Sequence, residues 1–498
     1  MNRRRVCVLL VVFVLYLQWG HLVNTWQGQG EEYRGGLIDD LKYLKCYRWY
    51  RQCNSIRLGG QLWLRIHKDL PTEDMISLQS NWFSRTFLYV HKARAAPVSE
   101  IAFSRDPKVV PLQVLQDMHA MVMNSDSSAF HGHGGLLEGG EEWMHRGGGV
   151  WCRHRGGAPP VTNIELYVGA GFVEARQNWK EVLHELSRPG QLPLSITRQV
   201  LGTEDFVTPE IGDSFKIMQI TDTHLRGTID PGTIRAEFQT RAFISSVLAR
   251  ENPDFVVITG DLLDGWNSVD CELCIMKLVQ PMILAKKPFV ILQGTSDFST
   301  QCSEAKVLNF VRDLPLCVNA IAPHGLALRL RHGARLMLHW GAIGLVENES
   351  AAPEVDYSLA FMHRPLPEYR PRGVFPLVGS YRERVVDEKL LEKESSGVYT
   401  ALLKRGVQVV SCGSEHNNDC CLKPDNGIWL CFAGVSGVGA ERMDGVAVTV
   451  RMFKVDDENG EVTTWKRMAQ NPEVVDYQVV ATKRGEHESK TSAERGGA

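Results

Sequence analysis

The sequence predicts an α/β layered domain in its carboxy-terminal half, preceded by a smaller β-rich region. Three observations carry that reading. From Phe215 onward, short apolar runs alternate with helix-length segments, the pattern of buried strands and covering helices. From Tyr47 to about Val182 the chain shows alternating patches instead, such as Gln61 to Ile66 and Ile164 to Val168, which read as half-buried strands. Between the two, Leu201 to Asp213 collects glycine, proline and acidic residues, the composition of a connection between folding units. A chain of 498 residues, 44% apolar and 23% charged, is long enough for both.

The amino terminus places Arg3, Arg4 and Arg5 before an apolar run from Val6 to Leu17, the order of a secretory signal. As a helix that run rises only about 18 Å, short of the roughly 30 Å hydrocarbon slab, which favours a cleaved signal over a permanent span. An uncleaved anchor extending to Val23 is the alternative, so residues 1–23 read as signal peptide or signal anchor. No other stretch approaches a transmembrane length. Twelve cysteines fit an oxidising lumen better than a reducing cytosol. Cys271 with Cys274, and Cys420 with Cys421, lack the paired second half of a zinc ribbon, so disulfides or buried thiols are expected. Asn348-Glu349-Ser350 is a potential glycosylation site. The net charge of -3 leaves no basic excess with which to grip a phosphate backbone, so nucleic acid is not an expected partner.

Residues 31–205 form the β-rich accessory region and carry no chemical motif. Within it, 131–160 is dominated by glycine with His, Arg and Glu, and reads as a mobile surface insertion. Its histidines, His131, His133, His145 and His154, are irregularly spaced and read as solvated. The polar tail, 483–498, reads as disordered.

In the second unit, 213–482, Phe215 to Ile220, Phe255 to Ile258 and Phe289 to Leu292 read as buried strands. Thr233 to Arg250 and Glu272 to Gln280 read as the intervening helices, the latter stopped by Pro281. Chemistry in such sheets collects where strands end and loops begin. Asp222-Thr223-His224 follows the first strand, a carboxylate and an imidazole able to ligate one divalent ion. Gly260-Asp261-Leu262-Leu263-Asp264 follows the second, glycine permitting a sharp turn and Asp261 offering oxygens to a metal.

With these two blocks in order, the chain resembles the calcineurin-like metallophosphoesterases, nearest their purple-acid-phosphatase-like branch. The family expects D-x-H, G-D, G-N-H-D or G-N-H-E, a lone histidine, and G-H-x-H. The lone histidine is matched by His363 in the run Leu359 to Tyr369, which is similar to the branch's H-x-P-L-P-E-Y. Asn417 to Gly439 and Thr464 to Arg467 resemble it too. The resemblance implies a four-layer α/β/β/α sandwich, two mixed sheets face to face with helices outside.

Two blocks depart. Gly294-Thr295-Ser296-Asp297 stands where G-N-H-D is expected, replacing a ligating asparagine and the usual catalytic histidine. Gly413-Ser414-Glu415-His416 stands for G-H-x-H, losing its first histidine. By the resemblance, one ion is held by Asp222, His224, Asp261 and His416, all present. The other retains only Asp261 and His363, because Thr and Ser hydroxyls are weak ligands, unless Glu415 or Asp297 moves in. One divalent ion is therefore expected, with Mn, Zn, Fe and Mg not distinguished. Two ions clamp phosphate and activate water, so a single one leaves the clamp incomplete. His363 and Asp297 are the residues expected at the chemical step. No tyrosine follows Asp261 in Leu262 to Trp266, so an iron charge-transfer centre is not supported. Two readings result: a luminal or secreted phosphomonoesterase acting on a phosphorylated substrate with an impaired second metal site, or an inactive homologue that binds a phosphorylated ligand or partner protein. A membrane enters only if the amino-terminal segment stays uncleaved.

Overall fold

A computed structural model describes residues 36–47, 53–70, 83–93, 96–125, 142–185, 191–202, 211–300, 302–341, 355–383, 397–424, 427–471 and 473–484. The expected signal peptide or anchor at 1–23, His131, His133, Asn348 and the tail from 485 lie outside the described residues. The chain divides into two compact units, one of residues 1–167 and 177–204, the other of 168–176 and 205–498.

The first unit is built from small antiparallel sheets. Strands β1 (Leu37–Tyr47), β2 (Ser55–Leu58), β3 (Gln61–Arg65) and β4 (Ser84–Ala93) pair in the order β1-β4-β3-β2. Trp63, Phe87, Tyr89 and Cys46 form their core, and Cys46 is disulfide-bonded to Cys53. Strand β5 (Glu100–Phe103) precedes helix α1 (Leu112–Ser125) and pairs with β7 (Val150–Arg153), which pairs with β6 (Met144–Gly147). Strands β8 (Val161–Val168), β9 (Trp179–Glu185) and β10 (Leu194–Val200) complete it in the order β8-β10-β9.

The glycine-rich stretch expected to be a mobile insertion is, over 144–153, a hairpin. Gly147, Gly148 and Gly149 all take positive φ and make its turn, while Val150 and Cys152 are fully buried. Arg153 is buried between Glu100 and Asp117, so its charge is compensated. His145 packs on the Trp151 ring at 4.7 Å, and His154 Nδ1 lies 3.2 Å from the Pro97 carbonyl.

The second unit holds two mixed sheets. In the first, β11 (Ser214–Ile220), β12 (Phe255–Ile258) and β13 (Phe289–Ile291) run parallel, linked by α2 (Pro231–Glu251) and α3 (Cys271–Leu284). Helix α4 (Glu304–Arg312) follows. The late strands β21 (Thr449–Asp456), β22 (Glu461–Met468) and β23 (Val475–Thr482) extend this sheet, giving β13-β12-β11-β21-β22-β23. The second sheet has β14 (Gly325–Arg329), β15 (Arg335–Trp340), β16 (Tyr357–Met362), β17 (Leu377–Val378), β18 (Val409–Cys412), β19 (Cys421–Leu422) and β20 (Trp429–Phe432), ordered β14-β15-β16-β18-β20-β19-β17. Helix α5 (Val398–Lys404) leads into β18.

Strand alternation builds the layers. Phe215, Ile217, Phe255 and Val257 of the first sheet share one core with Leu359, Phe361 and Val409 of the second, so the sheets stack face to face. On the outer side of the second sheet, Ala360, Met362, Val410 and Cys412 pack with Tyr369 and with Leu402 of α5. On the first sheet the parallel strands advance in one direction, β11 to β12 to β13, and crossovers of the usual right hand then put α2 and α3 on the same outer face. This is the α/β/β/α sandwich that the resemblance implied.

Helix α2 starts at Pro231 because Asp230 caps it, accepting from Thr233 N at 2.8 Å, and ends at Asn252 in the left-handed conformation. Helix α3 does not stop at Pro281 as expected. Proline there removes only the bond to the Lys277 carbonyl, and the burial of Met282 and Ile283 carries the last turn on to Leu284. Disulfides join Cys271 to Cys302 and Cys421 to Cys431, while Cys274, Cys412 and Cys420 are buried free thiols.

Candidate metal centre

Loops after β11, β12, β13, β16 and β18 deliver Asp222 and His224, Asp261, the Gly294–Asp297 segment, His363, and Ser414 to His416, respectively. Backbone bonds tie the first two together, Asp222 N donating to Gly260 O at 3.0 Å and His224 N to Asp261 O at 3.1 Å. Asp222, His224, Asp261 and Ser414 all have φ between 45° and 68°. Each such non-glycine residue costs of order 1–3 kcal/mol, a strain that clusters at functional sites. Gly260 has no alternative, since a Cβ there would sit 2.7 Å from Gly294 N and 2.8 Å from His363 Nδ1.

The side chains converge in two groups, Asp222 with His224 and His416, and Asp222 with Asp261 and His363, the ligand atoms of each lying within 4.8 Å of one another. In the first, His416 Nε2 is 3.3 Å from Asp222 Oδ1 and 3.2 Å from His224 Nε2. In the second, His363 Nε2 is 3.4 Å from Asp261 Oδ1. The resemblance gave the shared place to Asp261. Here Asp222 belongs to both groups, while Asp261 Oδ2 also stands 3.9 Å from His224 Nε2.

The surrounding atoms orient these groups. His363 Nδ1 donates to the Thr259 carbonyl at 2.8 Å, and His416 Nδ1 to the Glu441 carbonyl, which leaves both Nε2 atoms as lone-pair donors toward the centre. Asp222 Oδ2 takes the Thr221 hydroxyl and, at 2.9 Å, the Ser414 N–H, leaving Oδ1 to point inward. Asp222 Oδ1 and His363 Nε2 are buried without any hydrogen-bond partner. Orphaned oxygen and nitrogen donors aimed at one place fit a divalent cation, and the residues present can hold one.

The carboxylates and imidazoles also shift one another. Burial works to raise the Asp261 carboxyl, but the neighbouring His363 and the Ser296 N–H outweigh it and hold it at about 2. Burial lowers His363 and His416, yet Asp261 and Asp222 respectively raise both above the ordinary histidine value. His224 is lowered, chiefly by burial.

The two altered blocks sit as follows. Thr295 is exposed. Ser296 caps Asp261, its N–H on Oδ1 at 2.7 Å and its hydroxyl on Oδ2 at 3.1 Å. Asp297 corrects the expectation of a part in the chemistry. It is fully buried and spends its oxygens on the N–H groups of Leu263 (2.9 Å), Gly294 (2.6 Å) and Asp261 (3.1 Å), with burial pushing its carboxyl up to about 6. It is a brace between loops. Glu415 is held by Arg370 and belongs to neither ligand group. Asp264 pairs with Arg226 at 2.8 Å. The sequence reading missed Thr221 and Thr259, although the repeated Ile-Thr at the ends of β11 and β12 was a visible signal.

Residues 215–418 match the model of the calcineurin-like phosphoesterase family. The chain is 29% identical to Protein SIA1 of Kluyveromyces lactis across 96% of this chain and 97% of that one. It is 28% identical to Phosphatase DCR2 of Saccharomyces cerevisiae across 64% of this chain and 66% of that one. It is 25% identical to "Probable inactive purple acid phosphatase 29" of Arabidopsis thaliana across 54% of this chain and 86% of that one. The chain therefore carries a calcineurin-like phosphoesterase domain, with homologues that include phosphatases and purple-acid-phosphatase-like proteins.

Proposed function

We propose that this protein is a metal-dependent phosphomonoester hydrolase that works with one well-held divalent ion and an impaired second site. The observation that carries the reading is the convergence of Asp222, His224, Asp261, His363 and His416, with Asp222 Oδ1 and His363 Nε2 buried and unpartnered. Bound there, a divalent cation supplies Lewis acidity, neutralising phosphoryl charge and making water a better nucleophile. The chain's own groups do the rest: Asp222 and Asp261 hold negative charge at fixed positions, and Thr259 and Glu441 fix the histidine tautomers. The second position is poor in donors because Ser296 covers both Asp261 oxygens with hydrogen bonds and Thr295 faces solvent.

A second reading, a non-catalytic homologue that binds a phosphorylated ligand or partner protein, is favoured by the same Ser296. A serine stands where a histidine would stabilise phosphate or protonate the leaving oxygen, a contribution of roughly 10²- to 10⁴-fold. The secretory pathway is the proposed location, supported by the three disulfides, with an amino-terminal anchor as the alternative. Among the described residues, no helix is long and apolar enough to cross a membrane.

Hydrolysis of an aryl phosphate, assayed with Mn, Zn, Fe(II) and Mg in turn, tests the first reading. Turnover that needs metal and disappears in Asp261→Ala supports it. Metal-dependent binding of a phosphorylated ligand without turnover moves the assignment to the second.

A further inference from the structure

Arg370 and Glu415 form a largely buried ion pair that no ligand group contains. Both Glu415 oxygens accept from Arg370 Nη2, at 2.7 and 2.6 Å, and the two side chains are only 6% and 14% exposed. Arg370 Nη1 donates to the Tyr369 carbonyl at 3.3 Å, and its guanidinium lies 5.3 Å from the Tyr381 ring and 5.4 Å from the Phe432 ring. Glu415 also accepts from the Asn418 side-chain amide, whose Oδ1 takes the N–H groups of Arg382 and Glu383. The guanidinium thus cannot drift, and neither can the carboxylate it holds.

What the pair joins is informative. Arg370 ends the segment that starts at His363 and turns through Pro367–Tyr369, with Tyr369 anchored by its hydroxyl 3.0 Å from the Val410 carbonyl. Glu415 lies between Ser414, whose left-handed N–H holds Asp222 Oδ2, and His416. One histidine from each ligand group is therefore tied to the other through this pair. We propose that Arg370 is a positioning residue for the metal centre: through Glu415 it fixes the Ser414–His416 loop against the His363 segment.

The inference rests on the metal-binding reading above. The test is titration of the full luminal chain with Mn²⁺ and, for its spectrum, Co²⁺, on wild type, Arg370→Met and Glu415→Gln, with unfolding of each metal-free protein measured alongside. Loosening an outer support of this kind typically costs about 10- to 100-fold in metal affinity. Both variants are expected to weaken binding by that factor at unchanged stoichiometry and to alter the Co²⁺ spectrum. Tighter binding or an added ion in Arg370→Met would overturn the proposal, showing Glu415 to be a ligand that Arg370 merely restrains. Unchanged affinity and spectrum in both variants, with only a lower unfolding midpoint, would overturn it as well, since the pair would then serve stability alone. If Arg370→Met fails to fold, Glu415→Gln decides between the same outcomes. Wild type that takes up neither ion removes the metal-binding reading and the proposal with it, whereas failure of the proposal alone shows only in the variants.

Discussion

Loss of the Glu237 carboxylate should cost the second unit several kcal/mol. Glu237 lies on α2, and its side chain is 5% exposed against 3% for Lys277 on α3, with which it pairs. Its Oε1 accepts from Arg226 N at 2.7 Å and Gly227 N at 2.9 Å, and Lys277 Nζ also donates to the Ala170 carbonyl at 2.9 Å. Glu237→Ala strands a buried ammonium and two loop amides. Breaking one partner of a buried pair costs about 3–5 kcal/mol, and about 4 kcal/mol is the expectation here. At about 2–4 °C per kcal/mol for a unit of this size, the midpoint should fall by about 10 °C. The double change Glu237→Met with Lys277→Met removes both charges and keeps the volume, so it should recover most of the loss, within about 2 kcal/mol of wild type. Urea unfolding followed by far-ultraviolet circular dichroism measures both. A single variant within about 1 kcal/mol of wild type, or a double no better than the single, would refute the reasoning.

Three further expectations concern chemistry and pH. Restoring Thr295→Asn, Ser296→His and Ser414→His together should raise aryl phosphate turnover by roughly 10²-fold or more if the rest of the groove suits a substrate; no gain shows that the groove itself has diverged. His339 is buried and its imidazole is pushed down to about 4, by burial first and by Arg405 second. The folded state therefore binds fewer protons than the unfolded one between about pH 6.5 and 4, so stability present at neutral pH is lost as pH falls through that window, by up to about 3 kcal/mol. His339→Gln should flatten that part of a stability profile measured by urea unfolding between pH 7 and 4.5, and an unchanged slope counts against His339 as its source. Asp297→Asn should leave the ligand set in place yet loosen the Asp261 and Gly294 backbone, so metal affinity is expected to fall without loss of stoichiometry, as read by titration.

The second unit was legible because its elements are apolar and regular. Phe255 to Ile258 is buried on both sides and announces itself as an uninterrupted apolar run, and Phe215 to Ile220 is mostly buried and mostly apolar, broken only by Lys216 and Gln219. Asp222, His224, Asp261 and His363 were legible because each follows such a run within a few residues. What the sequence hid are matters of three-dimensional partnership. The hairpin at 144–153 looks too polar to pack until Arg153 is seen between two carboxylates. Pro281 ends a helix by local rule, and tertiary burial overrides the rule. Asp297 has the composition of an acid catalyst, and only its three backbone donors reveal a brace. Helix α1, with Met and His among its polar positions, carried no capping signal to mark it.

Metal content per chain tests the central claim most directly. The purified protein is stripped, equilibrated in turn with Mn, Zn, Fe(II) and Mg, freed of unbound ion, and assayed for ions per chain, with Asp222→Ala alongside because Asp222 stands in both ligand groups. One ion per chain, lost in the variant, is the predicted result. Two ions would contradict the impaired second site, and none, or an ion that survives loss of Asp222, would contradict the metal centre itself.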